Sequence, residues 1–212
     1  MSDPTPDRWS RLWREFSKEG APAGSFEHLA GLYSEPHRHY HNFRHIADCL
    51  AEFDRARHLA RDPLSVELAI WFHDAVYDTR APDNEERSAQ LSRAWLGRAK
   101  AEPALMDAVN RLIVATKRHD YSVHSDGALL MDVDLAIFGQ PPERFWEYEQ
   151  QIRDEYHWVN GVLFAAKRAE ILNAFLARDR IYKTNLIFDQ LETQARKNLK
   201  DSVQRLSHTA SS

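Results

Sequence analysis

Apolar residues recur at three- and four-residue spacing in nearly every segment between breakers, and no sustained two-residue alternation occurs. That period marks amphipathic helices rather than strands. The first predicted helix covers residues 8–18, with Trp9, Leu12, Trp13 and Phe16 on one face and Gly20 as its stop. A second, Ser25–Tyr33, carries Phe26, Leu29, Ala30 and Tyr33, and Pro36 closes it. A third follows Ile46, Cys49, Leu50 and Phe53 to about residue 60. Asp62-Pro63 opens a fourth, with aspartate as N-cap and proline at the first helical position. Asp83 followed by Glu86 approximates a capping box ahead of a helix through Ala89, Leu91, Trp95 and Leu96 to Gly97. Further helices are expected over 103–117, 127–138, 143–158, 162–177 and 187–206, with a polar break at 118–126 and a frayed tail at 207–212. The expectation is one all-α domain of about nine or ten helices, in which an N-terminal helix within 1–24 packs on a core formed by 25–206.

Within the fourth helix, the run Leu68-Ala69-Ile70-Trp71-Phe72 ends in His73-Asp74. An imidazole next to a carboxylate is costly to bury unless both are hydrogen-bonded or bound to a metal. Candidate partners lie on two other predicted helices. One is His41 or His45, four apart and on one face if both are helical; the other is Asp132 or Asp134, two apart and on different sides. Two histidines and two aspartates with open positions form a mixed nitrogen–oxygen set, suited to one divalent Mn, Fe, Ni, Zn or Mg ion. A closed structural zinc site would prefer cysteines.

Composition narrows the function classes. The chain has 212 residues, enough to bury a sizeable core, and a net charge of −4 with no block of Lys and Arg. A nucleic-acid polymer is therefore not an expected partner. The only cysteine, Cys49, reads as a small core residue, and the absence of any intrachain pair suits a reducing cytoplasm. Met1-Ser2-Asp3-Pro4 has no basic or apolar signal region, and no apolar run reaches membrane-spanning length, so no membrane association is expected. The 23 aromatic residues (6 Trp, 7 Tyr, 10 Phe) would line a large core or clefts, and would equally serve a homodimer.

The ordered set His45, then His73-Asp74, then a distal Asp resembles the H…HD…D signature of the HD-domain metal-dependent phosphohydrolases. A closer resemblance is to a bacterial subfamily of predicted HD hydrolases of unassigned substrate. It is carried by Tyr40-His41-Asn42-x-x-His45-Ile46, Trp71-Phe72-His73-Asp74-x-Val76-Tyr77, Asn84-Glu85-Glu86-x-Ser88-Ala89, Asp132-x-Asp134-Leu135-Ala136-Ile137-x-Gly139, Arg153-x-Glu155-Tyr156 and Ala195-Arg196-x-Asn198-Leu199. It covers most of the chain from Tyr33 onward. The resemblance implies an HD-type helical fold and metal ligation by His45, His73, Asp74 and Asp134, leaving His41 for a supporting or substrate contact. It implies hydrolysis of a nucleotide or other small phosphorylated metabolite by metal-activated water. Asp74 and Asp78 are the catalytic candidates. Asp78 stands four residues past Asp74, one turn along the same face if the helix continues, and would take the proton from the water. Related hydrolases of guanosine tetraphosphate carry a Glu-Asp pair at about this place; here it reads Tyr77-Asp78, so that substrate is not implied. Substrate-binding candidates are His41, Arg38, Lys117 and His119, with Arg44, Arg80 and Arg118 also near the motifs. Glu85 and Glu86 complement the dipole at a helix start, and one of them would face the metal pocket. Arg168 and Arg196 are expected in structural salt bridges. The alternatives are a nucleotide-binding HD module without turnover and a di-iron oxygenase that also uses His119 or His124.

Overall fold

A computed structural model describes residues 4–117 and 125–210 of the chain. Among the described residues there are ten α-helices and no strand, which is the all-α class the periodicity predicts. The chain divides into two compact units, 1–133 and 134–212.

The first unit is built around a helix that is buried on every side. α1 (Pro6–Arg14), α2 (Ser25–Tyr33) and α3 (Phe43–Ala56) lead through a 3₁₀ turn to α4 (Pro63–Phe72); α5 (Asn84–Arg98), α6 (Pro103–Thr116) and α7 (Ser125–Asp134) follow. α4 has no polar face: every residue from Ser65 to Phe72 is buried. A helix apolar all round belongs at the centre of its fold. Its start is the one predicted, with Pro63 at the first position and the Asp62 carboxylate accepting from Ser65 N at 3.1 Å. Asp126 on α7 seals the approach by accepting from the Arg61 and Asp62 amides at 2.7 and 3.0 Å. Above α4 lies an aromatic cluster. The Trp9 ring is 5.1 Å from both Trp13 and Trp71 and 5.6 Å from Phe72. The one charge inside α4, Glu67, is neutralised by Arg8 Nε at 2.8 Å and by Arg57. Arg8 also clasps Asp54 through both terminal nitrogens, so α1 is tied to α3 and α4 by charge as well as by packing.

Several boundaries differ from the sequence reading: α1 ends at Arg14 rather than at 18, and α10 continues to Ala210, through most of the tail expected to fray from 207. α3 begins at Phe43 behind Asn42, whose side chain accepts from Arg44 N at 2.9 Å, so His41 precedes the helix. α5 ends at Arg98, within one residue of the predicted Gly97, and Lys100 just beyond it takes the left-handed conformation at φ 57° while Ala101 N donates to Leu96 O. The Asp83 side chain makes no capping bond at the start of α5.

In the second unit a 3₁₀ segment (Leu135–Gly139) leads to α8 (Pro142–Glu155), α9 (Gly161–Leu176) and α10 (Asn185–Ala210). Asn198 on α10 donates to the carbonyls of Phe138 and Gln140 at 2.8 and 2.9 Å, and Tyr182 donates to Leu135 O at 3.0 Å. Arg196 pairs with Glu192, and Arg168 with Glu149 and the Tyr148 hydroxyl, as expected of structural bridges. Gly139 is required by close approach: a Cβ there would stand 2.5 Å from Leu191 Cβ and 2.9 Å from its carbonyl oxygen. Overpacking of this kind costs about 1–3 kcal/mol. Gly139→Ala is thus expected to lower the urea midpoint without changing the denaturant slope, and an unchanged midpoint would refute the close approach.

Candidate metal centre

Three donor atoms meet where α4 ends. His73 is the residue after the last helical turn; its amide still bonds to Ala69 O at 2.9 Å. Its Nδ1 lies 2.9 Å from Ile70 O, a partner that can only accept. A carbonyl cannot donate, so that bond places a proton on Nδ1 and turns Nε2 towards the other two donors. His45, in the first turn of α3, presents its own Nε2 at 3.1 Å from that atom. Asp74 Oδ2 lies 3.1 Å from His73 Nε2 and 3.4 Å from His45 Nε2.

The resulting triangle fits an ion. Donors about 2.1 Å from a shared ion stand about 3.0 Å apart at right angles and about 3.4 Å apart at the tetrahedral angle. The three observed separations, 3.1, 3.1 and 3.4 Å, fall within or at the edge of that interval. Both histidine side chains are only 2% exposed, whereas that of Asp74 is 20% exposed, so the triangle opens at the carboxylate. Burial alone would raise the Asp74 carboxyl, but the imidazoles of His73, His41 and His45 outweigh it and hold the group well below the usual carboxylate range. It is thus an anion ready to ligate. Among the described residues, His45, His73 and Asp74 form a group of the right type and spacing to hold a metal ion.

The turn after His73 is held by residues from two other elements. Asn84, the first residue of α5, accepts from Asp78 N at 3.0 Å and donates to Asp78 O at 2.9 Å. One helical turn later, Ser88 accepts from Val76 N at 3.0 Å. From the other side, Arg38 donates to Asp74 O at 2.6 Å and Ala75 O at 2.9 Å. Asn84 and Ser88 fall in a motif of the sequence that assigns them no role; their spacing of four is the signal, and their partners cannot be read from it.

The remaining candidates occupy varied positions. His41 is half-buried and stacks on Tyr77 with ring centroids 4.1 Å apart; its ring centre is 5.8 Å from that of His45. The shared helical face considered for the two histidines does not exist, because Asn42 starts the helix between them. Arg38 is buried, with its guanidinium bonded to Glu35 and to backbone carbonyls. Lys117 Nζ bonds to Glu86 and to Pro82 O, both at 2.6 Å, bracing the start of α5. Asp78 does not continue a helical face from Asp74: α4 stops at Phe72, and Asp78 is exposed, its carboxylate accepting from Arg80 N at 2.9 Å. Glu85 is half-buried at the start of α5; burial first, then the charge of Asp74, pushes its carboxyl up, against the pull of its own backbone amide and Lys117. Cys49 is buried with its sulfur 3.7 Å from both ring nitrogens of His45. Asp132 is fully buried on α7, and Asp134 ends that helix as the first residue of the second unit. His119 and His124 lie outside the described residues.

No family model matches the chain, and neither a curated protein nor a solved structure matches it.

Proposed function

We propose that the chain is an HD-type metal-dependent phosphohydrolase acting on a nucleotide or other small phosphorylated metabolite. The observation that carries this reading is the convergence of His45 Nε2, His73 Nε2 and Asp74 Oδ2 at ion-binding separations. The order of those residues along the chain, with a distal aspartate to follow, supports the class. Asp134 is the proposed fourth ligand, and one divalent ion per chain the proposed cofactor.

When bound, such an ion supplies an acidified water and takes up charge on a phosphoryl oxygen. The protein's part is to hold the donors in place, keep Asp74 ionised and provide a proton acceptor nearby. Of the two candidate acids, Asp78 and Glu85, we favour Glu85 for that last task. It is the less exposed, burial raises its carboxyl above its ordinary value, and it feels the charge of Asp74. Asp78 already accepts a backbone hydrogen bond in an exposed turn. Glu85→Gln is accordingly expected to lower kcat by about a hundredfold or more, and Asp78→Asn by much less. Equal losses would return Asp78 to the role of base.

The test of the class is a panel of phosphomonoesters and nucleotides offered to the protein with each candidate ion. Metal-dependent release of phosphate or phosphorylated product is expected from at least one. Tight nucleotide binding with no product by mass spectrometry would replace the reading with a binding module.

A further inference from the structure

The segment that leads into α3 and the turn that follows α4 are both non-helical where they meet. Residues 34–42, which lead into α3 and His45, have no continuous helix, and Asp74 sits in the turn past the end of α4. Backbone beyond a helix end has lost the ladder that would fix it, and its carbonyls need other partners. A ligand triangle, by contrast, must be held to a fraction of an ångström if it is to bind an ion without rebuilding.

Arg38 supplies the missing joint. Its side chain spans four groups: Nε donates to Glu35 Oε2 at 2.9 Å, Nη1 to Asp74 O at 2.6 Å and His41 O at 3.1 Å, and Nη2 to Ala75 O at 2.9 Å. The guanidinium carbon also lies over the rings of Tyr33 and Tyr77, 5.2 and 5.6 Å from their centroids. The residue is 6% exposed, so these bonds are made with little competition from water, and the Glu35 carboxylate balances the buried charge.

We propose that Arg38 is a positioning residue of the metal centre: it locks the segment before α3 to the Asp74 turn, so that the three donors converge before any ion arrives. The inference rests on the metal-centre reading above. Only a planar fork can serve these carbonyls and the carboxylate together. A lysine ammonium keeps the charge but directs its donors from a single point.

The test is a titration of Co²⁺ into the full chain, followed by visible absorption, which reports both affinity and coordination geometry. Arg38→Lys is expected to weaken Co²⁺ binding by about ten- to a hundredfold, the usual loss when a residue that orients a ligand is removed. It should also shift the absorption bands while the helical circular dichroism stays intact. Glu35→Ala releases only the outer anchor of the guanidinium and is expected to move affinity in the same direction by less. Wild-type affinity and spectrum in folded Arg38→Lys would overturn the proposal. If that variant does not fold, the same result in Glu35→Ala would overturn it. His73→Ala separates the two levels. If it loses the ion while Arg38→Lys does not, only the role of Arg38 falls; if it binds Co²⁺ like the wild type, the metal-centre reading falls with it.

Discussion

His73→Ala is expected to abolish stoichiometric binding of a divalent ion and, with it, metal-dependent phosphoester hydrolysis. The loss should exceed the ten- to hundredfold typical of residues that merely orient a ligand, because a donor itself is removed. The side chain stands at the narrowest point of the triangle, 3.1 Å from each of the other two donors. Its removal also withdraws the imidazole that does most to hold Asp74 ionised against burial. The fold should survive, since the backbone bond from His73 N to Ala69 O does not depend on the ring. Metal analysis beside circular dichroism checks both halves. A folded variant that retains the ion would remove His73 from the ligand set.

Trp71→Ala is expected to produce the largest loss of stability, about 3–5 kcal/mol, the usual cost of truncating a buried aromatic to alanine. Trp71 is 0% exposed, at the crowded end of α4. Its ring meets Trp9 edge-on at 5.1 Å and Phe26 at 6.4 Å, contacts that add to simple burial. The same truncation should weaken metal binding. The indole packs two residues before His73, so the space it vacates lets the ligand-bearing end of α4 shift, although the Tyr33 hydroxyl keeps its 3.1 Å bond to the Trp71 carbonyl. Denaturant unfolding with and without added metal measures both effects. A loss below about 1 kcal/mol would show that the cluster collapses into the vacated space.

How much of this could be read from the chain differs sharply between the ends of the same helix. The start of α4 was legible because Asp62-Pro63 is a local signal: the carboxylate caps an amide three residues on, and proline gives up a hydrogen bond it could not make. Its end was not legible. No glycine or proline stands between His73 and Asp78, so spacing alone carries the helix through both. What stops it is tertiary: Arg38, 36 residues away, captures the Asp74 and Ala75 carbonyls, and Ser88 and Asn84 take the amides of Val76 and Asp78. That is why the face shared by Asp74 and Asp78 disappears.

The histidine before α3 is a different case. Asn42 is a good N-cap, and its presence separates His41 from the helix of His45; the signal lay in the sequence beside the candidates. Arg38 shows the opposite limit. Its charge is visible in the chain and suggests a phosphate contact, but burial and four hydrogen bonds cannot be seen there. Lys100 is a smaller case: the helix ends at Arg98, close to Gly97, but the left-handed position past it, which usually draws glycine, is taken by a lysine.

Residue types made the pair His73-Asp74 legible but left His41 or His45, and Asp132 or Asp134, open; the resemblance chose between them. The convergence of the donors was not legible, since it depends on a non-helical turn held from two sides. The most direct test of the central claim is therefore the metal content of the purified chain after supplementation with Mn, Fe, Ni, Zn or Mg salts. The account predicts one divalent ion per chain, lost together in the His45→Ala, His73→Ala and Asp74→Ala variants. A folded wild-type chain that holds no ion at any supplementation, or variants that keep the full complement, would contradict it.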